Sequence, residues 1–121
     1  MIEVGRGWRY GYREGGIYVG LLGGEDWAFE VTEAEWQEFW QLFSRLVDTI
    51  ACLAGELVDQ ETFRCEVEGE LWELEAEGLP QSWRLRLQTR SGRRAEGFWS
   101  HQAVAEVWAK RQLPPGPALG A

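Results

Sequence analysis

The sequence predicts an α+β protein: two antiparallel meander sheets, a long central helix over about 32–58 and a shorter C-terminal helix over about 101–112. Three observations carry this. Residues 31–59, VTEAEWQEFWQLFSRLVDTIACLAGELVD, repeat apolar positions at helical spacing. The segments on either side alternate as strands between glycine-rich turns. The residues after Thr32 and after Ser100 share one spacing, with apolar side chains four, seven and eight positions on.

In chain order, Gly5–Arg13 alternates as a strand, with Trp8, Tyr10 and Tyr12 on one side and Arg9, Gly11 and Arg13 on the other. Glu14-Gly15-Gly16 is a turn, Ile17–Leu22 a second strand, and Gly23–Asp26 a second turn. Trp27–Val31 is a short third strand whose Trp27, Phe29 and Val31 should pack on the helix. Met1–Val4 is the candidate for a fourth. Thr32 is an N-cap and Glu35 completes a capping box, with Val31 and Trp36 placed for a hydrophobic staple. The apolar stripe Trp36, Phe39, Trp40, Phe43, Leu46, Val47, Ile50, Leu53, Ala54 and Leu57 would run roughly 40 Å along the helix. Its burial is worth on the order of 15–25 kcal/mol gross, most of it offset by chain entropy.

Four more strands follow, at about Thr62–Glu68, Leu71–Glu77, Trp83–Arg90 and Arg93–Trp99, with Gly78–Ser82 as the central turn. Ser100 caps the second helix. Pro114-Pro115-Gly116-Pro117 ends it, and 114–121 are expected to be a disordered tail. The caps divide one domain, 1–113, into two strand-meander–helix repeats, about 1–59 and 60–113.

Composition limits the function. The chain has 121 residues, eight tryptophans, a net charge of −8 and a pI of about 4.7. Such a surface repels nucleic acid and anionic membranes on average, leaving nucleic acid open only at local basic clusters. No run is apolar enough for a signal peptide or a membrane span. Cys52 and Cys65 match no zinc spacing and read as buried, reduced thiols, which suits the cytoplasm.

Gly5-x-Gly7-Trp8-Arg9, Tyr18-x-Gly20-Leu21, Trp27-Ala28-x-Glu30 before Thr32-x-x-Glu35, and Arg94-x-Glu96-Gly97-x-Trp99 lie in an order that resembles a small cyanobacterial family, domain of unknown function 1818. The resemblance covers nearly all of residues 3–110. It implies no activity and no catalytic residues. It implies a fold similar to that shared by the transcriptional coactivator PC-four and the plant Whirly proteins, which bind single-stranded DNA and repeat four strands and a helix. The lysine-rich sheet motif of Whirly proteins has no counterpart here.

Three function classes follow. Nucleic-acid binding would use Arg9 and Arg13, interleaved with Trp8, Tyr10 and Tyr12, together with Arg90, Arg93 and Arg94 at a basic hairpin tip. Arginine charge beside exposed rings is what single strands require. Against it, Glu73, Glu75 and Glu77 should stand opposite Arg84 and Arg86 and pair them internally. Catalysis is not expected: His101 has no Ser or Cys partner, Gly23-Gly24 runs into Glu25-Asp26 rather than a phosphate loop, and the glutamates lack a histidine for a transition-metal site. No cofactor and no metal are expected. The leading expectation is a non-enzymatic protein-interaction or assembly module, with a protein partner or a homo-oligomer.

Overall fold

Each half of the chain folds as four antiparallel strands followed by a helix. The computed structural model describes residues 1–90, 92 and 94–111. The first half is β1 (Ile2–Gly5), β2 (Trp8–Tyr12), β3 (Tyr18–Gly24), β4 (Ala28–Thr32) and α1 (Glu33–Ala54). The second is β5 (Phe63–Glu68), β6 (Trp72–Leu79), β7 (Ser82–Thr89), β8 (Glu96–Trp99) and α2 (His101–Lys110). Sheet A has the order β1-β2-β3-β4 and sheet B the order β5-β6-β7-β8, both sequential meanders. The candidate fourth strand at Met1–Val4 is thus present, as β1 over Ile2–Gly5. The expected tail, 114–121, lies outside the described residues, as does Gln112.

The capping box forms as expected: Glu35 N–H donates to Thr32 Oγ1 at 3.2 Å, and Thr32 N–H donates to Glu35 Oε1 at 2.8 Å. The helix stops at Ala54, not Val58. Gly55, poor in a helix interior, becomes the C-cap, and Val58 N–H donates to the Glu61 carboxylate at 3.0 Å outside the helix. With 22 residues, α1 is ~33 Å long. Leu42 joins the buried stripe, while Ala54 lies exposed beyond it. Cys52, expected to be buried, is exposed, because the stripe passes through Ile50 and leaves position 52 on the solvent side.

The expected turn at 78–82 is shorter. Gly78 pairs with Trp83 and Leu79 with Ser82, so only Pro80 and Gln81 turn. A glycine is needed there: Gly78 has φ +143°, and a Cβ would lie 2.7 Å from the Ser82 carbonyl oxygen.

One apolar core joins both sheets and both helices. Tryptophan N–H groups stitch the halves together reciprocally. From the first half, Trp8 donates to Glu106 of α2 at 2.7 Å and Trp27 to the Phe98 carbonyl at 3.0 Å. From the second, Trp72 donates to the Glu35 carbonyl and Trp99 to the Gly23 carbonyl, each at 2.8 Å. Trp27 therefore departs from its expected role. It precedes β4 and lies across Gly97 and Trp99 of sheet B.

Candidate functional site

Alternation splits each sheet into an inner face on the core and an outer face, and the two outer faces differ. On sheet B the register sets Glu75 opposite Arg86 and Glu77 opposite Arg84, as the sequence led us to expect. Arg86 lies 3.8 Å from Glu75 and 3.1 Å from Glu96, and Arg84 pairs with Glu77. The shortest bond of Glu75 is one the sequence did not indicate: Arg64, on the far side of it, donates at 2.7 Å. That bond, first, and the nearby charges of Arg64 and Arg86 hold the Glu75 carboxyl below the ordinary range. Glu66 opposes Glu75, and Glu68 opposes Glu73. Arginines at the margin relieve this like-charge pairing, with Arg90 3.6 Å from Glu68.

The five candidate arginines do not form one site. Arg90 is turned to its own sheet and donates to the Gly69 carbonyl at 2.7 Å. Arg94 is exposed with φ 49°, and Arg93 lies outside the described residues. Arg9 lies on β2 of sheet A and Arg13 just past its end, and among the described residues neither makes an ion pair or a side-chain hydrogen bond. The rings meant to accompany them are not available for stacking. Trp8, Tyr10 and Tyr12 are only 3%, 1% and 9% exposed. The alternation was right, but the aromatic side of β2 is the core side. Tyr10 meets Trp40 edge-on at 5.2 Å, and Tyr12 donates to Glu33 at 2.7 Å. The tryptophans, which composition suggested for a partner surface, are buried or half-buried and join the two repeats instead.

The outer face of sheet A mixes exposed apolar residues and glycines with Arg9 and Glu30. Two rows cross it: Ile2, Gly11, Leu21 and Glu30, then Val4, Arg9, Gly23 and Ala28. Ile2 is 70% exposed and Val4 67%. Gly11 leaves a gap beside Ile2, and the Arg9 side chain lies over Gly23. A hollow of about 290 Å³ opens around Gly11, between Ile2 and Leu21. A second, of about 470 Å³, opens at the far end, where Val4, Gly7, Ala28 and Trp27 meet Arg9, Glu25 and Asp26. Sequence reasoning missed this face for two reasons. Met1–Val4 was a candidate strand with no face assigned to it, and the register shift between Tyr18 and Gly20 interrupts the alternation of β3, which sets Leu21 outward.

His101 is exposed at the start of α2. Burial, and then Glu66, push the half-buried Cys65 thiol up, away from the reactive thiolate. Among the described residues, no three His, Cys, Asp or Glu side chains are grouped to hold a metal ion, and no helix is long and apolar enough to cross a membrane.

The geometry thus defines a duplicated α+β protein whose two outer sheet faces differ, one a charged ladder and one mixed apolar and charged. The chain belongs to the family described as Domain of unknown function (DUF1818), whose model matches residues 3–113. It is also similar to a protein of unknown function from Prochlorococcus sp. NATL2A, described as from the DUF155 family. The two are 26% identical, with 93% of this chain and 95% of that one covered and a TM-score of 0.85. Neither family label carries an activity. No curated protein matches the chain.

Proposed function

We propose that this is a non-enzymatic protein-interaction module and that the outer face of sheet A is its contact surface. The observation that carries the proposal is the contrast between the sheets. An antiparallel sheet with one solvated face normally sets polar residues there, as sheet B does. Sheet A instead presents Ile2, Val4 and Leu21 around glycines, with two arginines that have no internal partner. Contiguous apolar surface of this kind is found where another molecule docks.

The alternative is a single-strand binder of the PC-four/Whirly type. The repeated order of four strands and a helix supports kinship with that fold, and Arg9 and Arg13 could meet phosphate. The burial of Trp8, Tyr10 and Tyr12 removes the stacking that such binding needs, and fold kinship alone carries little functional weight.

The test is photo-crosslinking in the native cell, with a photoreactive side chain at Leu21 in one variant and at Glu73 in another. Protein adducts at position 21 and none at 73 are expected. Nucleic-acid adducts at position 21, or no adducts there, would refute the proposal.

A further inference from the structure

The edges of the two sheets differ as much as their outer faces, and the inference drawn from them rests on the interaction reading above. Met1 and Tyr12 exchange two hydrogen bonds through their main chains, each of 2.9 Å. Such pairs recur at every second residue of an antiparallel ladder, so Glu3 with Tyr10 and Gly5 with Trp8 are the next ones along β1. The N–H and C=O groups of Ile2 and Val4 therefore point away from β2, and among the described residues they have no partner. The side chains of both residues are largely exposed.

The other three edges are each guarded, as exposed sheet edges usually are. Gly69 N–H donates to the Trp72 carbonyl, so the outward groups of β5 belong to Arg64, Glu66 and Glu68, all charged. Thr89 N–H donates to the Ala95 carbonyl, so β8 turns out Glu96 and Phe98. There the Phe98 carbonyl is taken by the Trp27 indole N–H at 3.0 Å. Gly24 N–H donates to the Trp27 carbonyl, so β4 turns out Ala28 and the charged Glu30. Only β1 joins open backbone groups to two exposed apolar side chains, and its register runs without a bulge.

Glu3 lies between Ile2 and Val4 and points to the other side of the strand. It makes no ion pair among the described residues. The carboxylate nearest Gly5 on that side, Glu106, is already answered by the Trp8 N–H and by the charge of Arg6. A second copy of β1 laid antiparallel on these open groups would set Glu3 against Glu3, and like charges directly opposite are destabilising. A cation at that position is attracted instead, and the net charge of −8 draws a basic segment in at long range.

We infer that β1 takes an added antiparallel strand from another protein, a segment that reads apolar, basic, apolar. Its two apolar residues bond the backbone of Ile2 and Val4 and widen the outer face of sheet A. Its basic residue lies directly opposite Glu3, in the close pair that carries no hydrogen bond. The main-chain bonds supply affinity and the alternating side chains supply specificity.

The experiment uses the full chain and a fluorescein-labelled nine-residue peptide with valine, lysine and valine at its centre, flanked by serine and threonine. Fluorescence anisotropy should give saturable binding in the ~10–100 μM range. Val4→Pro deletes one outward N–H and keeps the pairing with β2, since an edge strand accepts proline on its open side. It should weaken binding at least ~tenfold with little change in melting temperature. Methylating the backbone nitrogen of either valine of the peptide should do the same, and methylating that of the lysine should not. Glu3→Lys should weaken the lysine peptide and favour one with glutamate in its place, a reversal that damage to the fold does not produce. Absence of saturable binding, binding that the methylated valines leave intact, or a preference that Glu3→Lys leaves unchanged overturns the inference. So does a dimer in sedimentation velocity that Val4→Pro dissolves, or a single-stranded oligonucleotide that displaces the peptide. If no peptide binds but protein adducts still form at position 21, the module reading survives and strand addition alone is wrong. If those adducts are missing too, both fail.

Discussion

Removing the Glu38 carboxylate should release the β5–β6 turn from the central helix. Glu38 sits on the second turn of α1, and its oxygens accept from three successive backbone N–H groups of the second repeat: Glu70 at 3.2 Å, Leu71 at 2.8 Å and Trp72 at 2.9 Å. Hydrogen bonds to a charged group contribute ~1.5–3 kcal/mol each when protected from water. Here the Glu70 bond is long and exposed, and the other two are part-buried. Counting those two at the low end gives ~3 kcal/mol for Glu38→Ala, and about half of that for Glu38→Gln, which retains one oxygen. At ~4 °C per kcal/mol for a domain of this size, the alanine variant should melt ~12 °C lower. Gly69 provides an independent check, because a Cβ there would lie 2.6 Å from the Glu38 carboxyl carbon and displace the group. Gly69→Ala should therefore cost much the same, and the double variant little more than either single one. The assays are urea denaturation followed by tryptophan fluorescence, and amide hydrogen exchange. The amides of Leu71 and Trp72 should lose protection before those of β7. If Glu38→Ala stays within ~0.5 kcal/mol of the parent, or the two substitutions add in full, the turn is held by something other than this carboxylate.

The core and the pH response give two further tests. The Tyr10 hydroxyl is buried without a hydrogen-bond partner among the described residues, so Tyr10→Phe should leave the unfolding free energy from urea denaturation unchanged or raise it by up to ~1 kcal/mol, whereas a loss of more than that would mean the hydroxyl is bonded. Burial, and then Glu3, raise Tyr10 to about 12, and the hydrogen bond to Glu33 raises Tyr12 to about 12. A raised folded-state value stabilises the protein fully below the ordinary tyrosine value near 10 and is lost as pH climbs from there through about 12. The urea midpoint should accordingly fall across that window, and less steeply in Tyr12→Phe; an equal fall in both proteins would exclude the Glu33 bond as a cause. At the acid end, Glu75 is depressed by Arg64, so its stabilisation holds above the ordinary carboxylate range and is lost as pH drops through it.

Side-chain periodicity made much of this architecture legible. The α1 cap, the buried stripe and the Glu75–Arg86 register all follow from local spacing, which the chain satisfies without reference to distant partners. Where the expectations failed, a distant contact decided. Nothing local in β2 says that the Trp8–Tyr10–Tyr12 side faces α1 rather than solvent; Trp40 and Glu33 settle that. Trp27 leaves the strand because Gly97, seventy residues away, gives its ring a flat place to lie: a Cβ there would come within 2.5 Å of it. The sheet A surface stayed hidden because a short edge strand and a β-bulge each blur a two-residue period. Of the candidate site, Arg9 was found for its charge, but the apolar ground around it was not.

The duplication leaves one outer face free for the proposed binding. Both repeats must bury an inner face, and their inner faces are committed together. Trp8 and Trp27 reach from the first half into the second, and Trp72 and Trp99 reach back. Neither sheet can open without breaking bonds that belong to both. The outer faces carry no such duty, so they are free to differ. Sheet B's outer face answers its own charges with a ladder running from Arg64 through Glu75 and Arg86 to Glu96. Exposed ion pairs of this kind add little stability, but they leave the face mostly charged, with Phe98 as an exposed apolar residue beside Arg86. Sheet A has no such ladder. It keeps Ile2 and Val4 in solvent and Arg9 unpaired, although polar replacements at those positions would disturb no core contact. Folding does not require those three residues to be as they are, and the proposed docking would.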